Sequence, residues 1–456
     1  MGTTYLNRTP SSAGNRRTWT WSSWVKLHSV GSNNTTDNNI LLNARQDDGN
    51  LEILQFNGST GTFMYANFTG AVAISAFNTN AVYRDFSGWY HVVLEVDTTQ
   101  ATDSNRIKLY INGVQETSLV ATYGGYPIYP PQNTQGWINN TVNHEIGAYN
   151  TTARLNATLA HTHLTDGTAY DASAFGETDA TTGIWKPKTA PSVTYGTNGF
   201  FLKFENSGSM GTDSSGNANN FTVNGTMTQT VDTPSNVFAT LNPLASQAGS
   251  SASSTTNTFS NGNLTVTDTI SETAIGNLGV SQGKWFWEVK VVTDQDGLAI
   301  GGANQYYNLD AELGYNSPSS PTDAKVFGYY GGNGNKFITV GDGSQFTSYG
   351  SAIAVNDIVG VAMNLDDNEV TFYLNGSSQG TFSITALGSG EVYFPAVGNW
   401  SGGTITVSFN FGNGYFGTTA VSSAENPDDG IGIFEYAVPT GYKALCTKSI
   451  NSQEYS

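Results

Sequence analysis

Chemistry in this chain would have to come from a short list of side chains. Glu95 and Asp97 stand two residues apart in WYHVVLEVD, and a pair of carboxylates about 5–5.5 Å apart is what a retaining glycosidase uses as nucleophile and acid/base. The position that would complete the run holds Gln100, which neither ionises nor delivers a proton. His161-x-His163 projects two imidazoles to one face of a strand, and with His144 and Glu145 it has the ligand types of a zinc site; ordinary strand histidines are the other reading. Acidic turns at Asp47-Asp48, Asp294-x-Asp296 and Asp366-Asp367 offer oxygens to Ca²⁺ but lack EF-hand spacing, so they read as Ca²⁺ sites or as solvated hairpin tips. No cofactor is expected beyond such Ca²⁺. No Ser/His/Asp order or phosphate loop stands out, and no helix pattern follows Gly331-Gly332-Asn333-Gly334 to present an N-terminus to phosphate.

Aromatic residues in Gly/Pro/Asn-rich surroundings are the stronger signal. A ring covers the apolar C–H face of a sugar while amides and carboxylates bond its hydroxyls. Tyr306-Tyr307, Tyr329-Tyr330 and Trp400 lie in such surroundings, as do Tyr123, Tyr126, Tyr129 and Trp137. The candidate glycan-binding set is Trp137, Tyr126, Tyr306, Tyr307, Tyr330 and Trp400, with Trp137, in PPQNTQGWINN, expected to be the most exposed. The same rings would serve equally as core or loop anchors.

The elements that must position these residues are strands. In WYHVVLEVD, Tyr90, Val92, Leu94 and Val96 alternate with His91, Glu95 and Asp97, the period of a half-buried strand. RIKLYINGVQ runs into Asn112-Gly113, and VTFYLNG into Asn375-Gly376, the dipeptide that best tolerates a two-residue hairpin turn. Of the 456 residues only 12% are charged, against ~25% in a typical domain, while 52 are Gly and 12% aromatic. That mixture suits short twisted strands and excludes helical bundles. The predicted fold class is all-β: two β-sandwich domains, at 1–206 and 258–456, joined by an irregular strap and Ser/Gly-rich linker at 207–257. A net charge of −18 opposes nucleic-acid binding. No window is apolar enough to span a membrane, the N-terminus lacks the apolar run of a signal peptide, and the single Cys446 excludes an intrachain disulfide.

TWTWSSWVK, GWYHVVLEVD, IKLYINGV and HEIGAYN together resemble the laminin-G/concanavalin-like jelly roll. Glucanases of that fold carry Glu-x-Asp-x-x-Glu on a strand, which Gln100 interrupts here. FGETDATTGIWKPK, YGTNGFFLKFENSGSMGTDSSGNANNFTV and DTPSNVFATLNPL resemble structural proteins of tailed phages, notably those of marine bacteria and cyanobacteria. GKWFWEVKV, FGYYGGNGNK, NDIVGVAMNLDDNEVTFYLNGSSQGTF, YFPAVGNW and PTGYKALCTK resemble a SPRY (B30.2) domain. The resemblance implies a non-enzymatic virion protein, assembled in the host cytoplasm: a tail-fibre or capsid-fibre subunit that attaches to host cell-surface glycan, or a capsid-decorating protein. Implied partners are other virion proteins and copies of itself, as a trimer by analogy with phage fibres. Relatives have a further strand before TWTW; with only MGTTYLNRTPSSAGNRR in that place, the first sandwich is expected to lack an edge strand, which a neighbouring subunit could supply.

Overall fold

The computed structural model describes residues 4–29, 38–122, 125–150, 153–245, 257–269, 272–293, 296–309, 311–314, 323–340, 343–400 and 403–454. The chain divides into two units, Met1–Gln229 and Thr230–Ser456. The Ser/Gly-rich part of the strap and linker expected at 207–257 falls largely on 246–256, outside the described residues, as do Tyr123 and Asp294.

The first unit packs an eight-stranded sheet against a six-stranded one. The six-stranded sheet runs, in spatial order, Phe200–Leu202, Ala157–Asp166, Thr18–Leu27, Tyr90–Asp97, Ile107–Ile111, Val114–Glu116, with every neighbouring pair antiparallel. Alternation decides the layers: Trp19, Trp21, Val25, Val92, Leu94, Val96 and Leu109 point inward and meet Leu42, Leu54, Phe56, Tyr65 and Phe77 of the larger sheet. The opposite face of the six-stranded sheet carries His91, Glu95 and Tyr110.

The missing edge strand is not missing. Tyr5–Arg8 forms a strand that pairs on one side with Asn143–Ile146 and on the other with Thr222–Asn224, and Leu6 is fully buried. The segment supplies its own strand, and the motive for borrowing one from a neighbour disappears. Part of the expected strap therefore belongs to the first sandwich. Its anchor is Asp213, whose carboxylate accepts the backbone N–H groups of Phe201, Ser215 and Asn219 at 2.8–2.9 Å.

The second unit repeats the two-layer plan. One layer runs Thr258–Ser260, Thr265–Asp268, Ile405–Asn410, Lys284–Thr293, Ile358–Asn364, Glu369–Leu374, Ser377–Ser383, with Lys443–Ala444 added in parallel to Lys284–Thr293. The other runs Thr273–Ile275, Tyr393–Asn399, Leu298–Asn304, Lys325–Tyr330, Asn335–Val340, Gly343–Ser348. Trp285, Trp287, Val289, Phe327, Tyr329, Val359, Val361 and Phe372 fill the space between them. Both Asn-Gly hairpins turn as predicted, with positive φ at Asn112, Gly113, Asn375 and Gly376.

Candidate recognition site

The catalytic-looking triplet is closed upon itself. Glu95 accepts from Lys108 Nζ at 3.1 Å and from the Tyr110 hydroxyl at 3.0 Å. Gln100 donates its amide to Asp97 Oδ2 at 2.6 Å, and Thr99 caps the other oxygen. These hydrogen bonds hold the Asp97 carboxyl below its ordinary range, against the opposing push of burial. Glu95 is thus engaged by its own sheet, and Gln100 acts as a turn donor.

The histidines do not assemble a metal centre. Two imidazoles bound tetrahedrally to one zinc, with Zn–N near ~2.0–2.1 Å, have ring centres roughly 5 Å apart, whereas those of His161 and His163 lie 6.5 Å apart. His144 spends both nitrogens locally, Nδ1 on the Val142 carbonyl and Nε2 on the Asn139 N–H. Glu145 accepts from the amides of Asn43 and Asn143. Among the described residues no group of three His, Cys, Asp or Glu side chains could hold a metal. The acidic tips are likewise occupied: Asp47 caps Gly49 and Asn50, Asp48 pairs with Arg45 at 2.7 Å, Asp366 accepts Gly283 N–H, and Asp367 pairs with Lys284.

A serine–histidine pair that the sequence did not flag lies on the outer face of the six-stranded sheet. His91 Nε2 is 2.9 Å from Ser22 Oγ, the spacing of a nucleophile and its base. Its Nδ1, however, is 3.0 Å from the Trp185 indole N–H, which can only donate. Nδ1 is therefore the unprotonated nitrogen and Nε2 carries the hydrogen, so His91 donates to Ser22 and cannot take its proton.

The six aromatic candidates separate sharply. Trp137, expected to be the most exposed, is only 9% accessible: its N–H and that of Ile138 donate to the buried Glu52 carboxylate, and its indole donates to the Phe68 carbonyl. A carboxylate 85 residues away in sequence turns the ring inward. Tyr307 is 8% accessible and packs under its own loop, donating to the Glu312 carbonyl. Tyr126 is half-buried against an apolar cluster of the first unit's larger sheet. Tyr306 stands out at 48% exposure.

Tyr330 and Trp400 come together, and with them a ring the sequence reading missed. Their centroids are 5.5 Å apart, and Phe346 meets Trp400 edge-on at 4.9 Å and Tyr330 at 6.2 Å. Tyr330 is anchored through its hydroxyl to the Asp296 carbonyl, and Trp400 through its indole to the Leu313 carbonyl. Phe346 lies on the edge strand Gly343–Ser348 and is 36% exposed. Fixed rings behind and one exposed ring on what is, among the described residues, the last strand of the sheet make a shallow rim. Glycines let the covering loop approach: a Cβ at Gly398 would lie 2.6 Å from Leu313 Cβ, and one at Gly314 would lie 2.4 Å from the Phe337 ring. Tyr329, the other half of the pair, faces the core as strand alternation requires.

Comparison with known proteins agrees with this division. Residues 1–166 match the concanavalin A-like lectin/glucanases superfamily, and residues 284–414 match the SPRY domain family. The chain is 32% identical to Ran-binding protein 9 of Xenopus laevis over 29% of its own length and 22% of that protein's. It is 33% identical to the ATP-dependent RNA helicase Ddx1 of Drosophila melanogaster over 25% of its length and 14% of the helicase. The chain thus spans about a fifth or less of these relatives. The SPRY domain of human HERC1 is similar at 17% identity and TM-score 0.29, covering 37% of this chain and 96% of that one. The chain is a concanavalin-like sandwich followed by a SPRY sandwich.

Proposed function

We propose that this is a non-catalytic recognition protein of a phage virion, a tail-fibre or capsid-fibre subunit whose SPRY unit meets host-surface glycan at the Tyr330–Phe346–Trp400 rim. The observation that carries the reading is the solvent-facing Phe346 ring, backed by two anchored aromatic side chains. One exposed ring gives weak binding. Repetition on a particle raises avidity by roughly 10²–10⁴ without new contacts. The phage attribution rests on the strings FGETDATTGIWKPK and DTPSNVFATLNPL.

Purified chain presented to immobilised bacterial surface polysaccharides tests the reading. Phe346→Ala is expected to lower binding at least tenfold without changing the fold, and Trp137→Ala is expected to act only through stability. Binding unaffected by Phe346→Ala overturns it. A second reading, a capsid-decorating protein, is favoured by the position of Phe346 on the edge strand Gly343–Ser348, since an apolar side chain on a sheet edge suits a protein partner. Loss of particle association rather than of glycan binding in Phe346→Ala marks that outcome.

A further inference from the structure

A flap covers part of the six-stranded sheet of the first unit. Gly176–Thr178 and Trp185–Pro187 form a hairpin, stiffened at its tip by Asp179, which accepts the Thr181 and Thr182 N–H groups and pairs with Lys186 at 2.8 Å. Its indole, Trp185, wedges between two glycines: a Cβ at Gly113 or Gly176 would lie 2.9 or 2.4 Å from the ring. Phe175, Ala172 and Val93 pack beneath.

The flap's one side-chain hydrogen bond from hairpin to sheet runs, among the described residues, from Trp185 Nε1 to His91 Nδ1. His91 is fully buried and stacked on Trp24 at 4.7 Å. Because the indole only donates and Nε2–H is committed to Ser22, a second proton on His91 has no place but Nδ1. There it would face the indole N–H, two donors nose to nose. The neighbouring His163 behaves differently. Its Nδ1 meets the Tyr195 hydroxyl at 2.9 Å, and a hydroxyl can accept as well as donate, so that contact survives protonation.

We propose that hairpin 176–187 is an acid-released flap, latched by the Trp185–His91 hydrogen bond and freed when His91 takes a proton on Nδ1. Freed, it uncovers Val93, Phe175 and the Trp24–His91 stack while residue 195 stays tied. Burial, then the adjacent His161 imidazole, push His91 down to about 3 in the closed form, against ~6.5 for an uncovered imidazole. The other titratable groups around it do not compete for this role. Glu95 is held by Lys108 and Tyr110. Lys186 and Glu177 belong to the hairpin's own ion pairs, and Asp179 stays ionised far below the ordinary carboxylate range through its bond to Lys186. Lys26, fully buried, follows Trp24 by two residues. His161 is itself held down by burial, with Glu205 and Lys203 acting on it in opposite senses.

The test is a pH titration of the full chain carrying ¹⁵N-labelled tryptophan, following the indole N–H signals, with that of Trp185 assigned by Trp185→Phe. Linkage between closed and uncovered His91 gives roughly a fiftyfold rise in the opening equilibrium from pH 6.5 to 4.5. The Trp185 indole N–H should therefore exchange with water about fiftyfold faster, after correction for intrinsic rate, while Trp19 and Trp21 of the same unit's core hold. In His91→Asn the amide oxygen can take the indole N–H but cannot be protonated, so the acid response should vanish. A Trp185 signal that moves only together with Trp19 and Trp21 reports unfolding and overturns the proposal, as does an unchanged acid response in His91→Asn. The wild-type titration decides even should that variant fail to fold.

Discussion

At the scale of single residues, position in the fold reassigns chemistry that residue type suggests. Trp137 and Trp400 look alike in sequence, yet one is tied beneath Glu52's reach and the other backs an exposed ring. Trp137→Ala is accordingly expected to cost about 3–5 kcal/mol of stability, the range for deleting a buried aromatic, read as a lowered denaturation midpoint of the first unit. Phe346→Ala should leave that midpoint unchanged. Sugar release from polysaccharide is not expected, because Glu95 is engaged by Lys108 and Tyr110 and Gln100 supplies no second carboxylate; hydrolysis abolished by Glu95→Gln would contradict this. The misreading of Trp137 has a plain cause. Its local string is polar and Pro/Gly-rich, and the carboxylate that captures its N–H comes from the strand Asn50–Phe56, a pairing that leaves no mark on local periodicity. Phe346 was missed for the opposite reason: a lone Phe in GSQFTS reads as an unremarked strand residue until its neighbours are known.

Among the elements, strand alternation and Asn-Gly turns were legible because each depends on a few adjacent residues. Tyr5–Arg8 was not, since four residues carry too little alternation and its partners are at Asn143–Ile146 and Thr222–Asn224. The buried Glu288 was equally invisible. It lies in the strand Lys284–Thr293 and accepts the N–H groups of Glu435 and Tyr436 and the amide of Asn410, at 2.9–3.1 Å. It thereby fastens the 433–436 segment to the sheet. Burial pushes its carboxyl up to about 7 despite those donors. A folded pKa above the unfolded one means the fold binds the proton more tightly. Its contribution is therefore full below about 4.5 and is lost as pH rises to about 7, on the order of 3 kcal/mol in all. Glu288→Gln should flatten this dependence, measured by denaturant unfolding of the second unit from pH 4.5 to 7.5. Since it turns a donor toward the three donors, it should also cost about 1–3 kcal/mol.

Across the whole molecule the two units should respond to pH in opposite directions. All five histidines lie in the first unit. Burial leads in pushing His91 down to about 3 and His144 to about 4, and His163 also lies well below its ordinary value. With folded values below unfolded ones, these groups cost nothing above pH ~6.5 and destabilise the fold progressively below it. The first unit should lose stability as pH falls, unfolding only below the pH ~4.5 at which its flap opens, while Glu288 favours the second; two separated acid transitions by calorimetry are expected, and one coincident transition would contradict this. The two-sandwich plan itself was visible in the sequence, because composition and period speak for every strand at once. The central claim, recognition at the SPRY rim, is tested most directly by comparing wild type and Phe346→Ala for binding to bacterial surface polysaccharide at neutral pH. At least a tenfold loss is expected, with the first unit's denaturation midpoint unchanged and the second unit still folded at the assay temperature. Equal binding by the two proteins would contradict it.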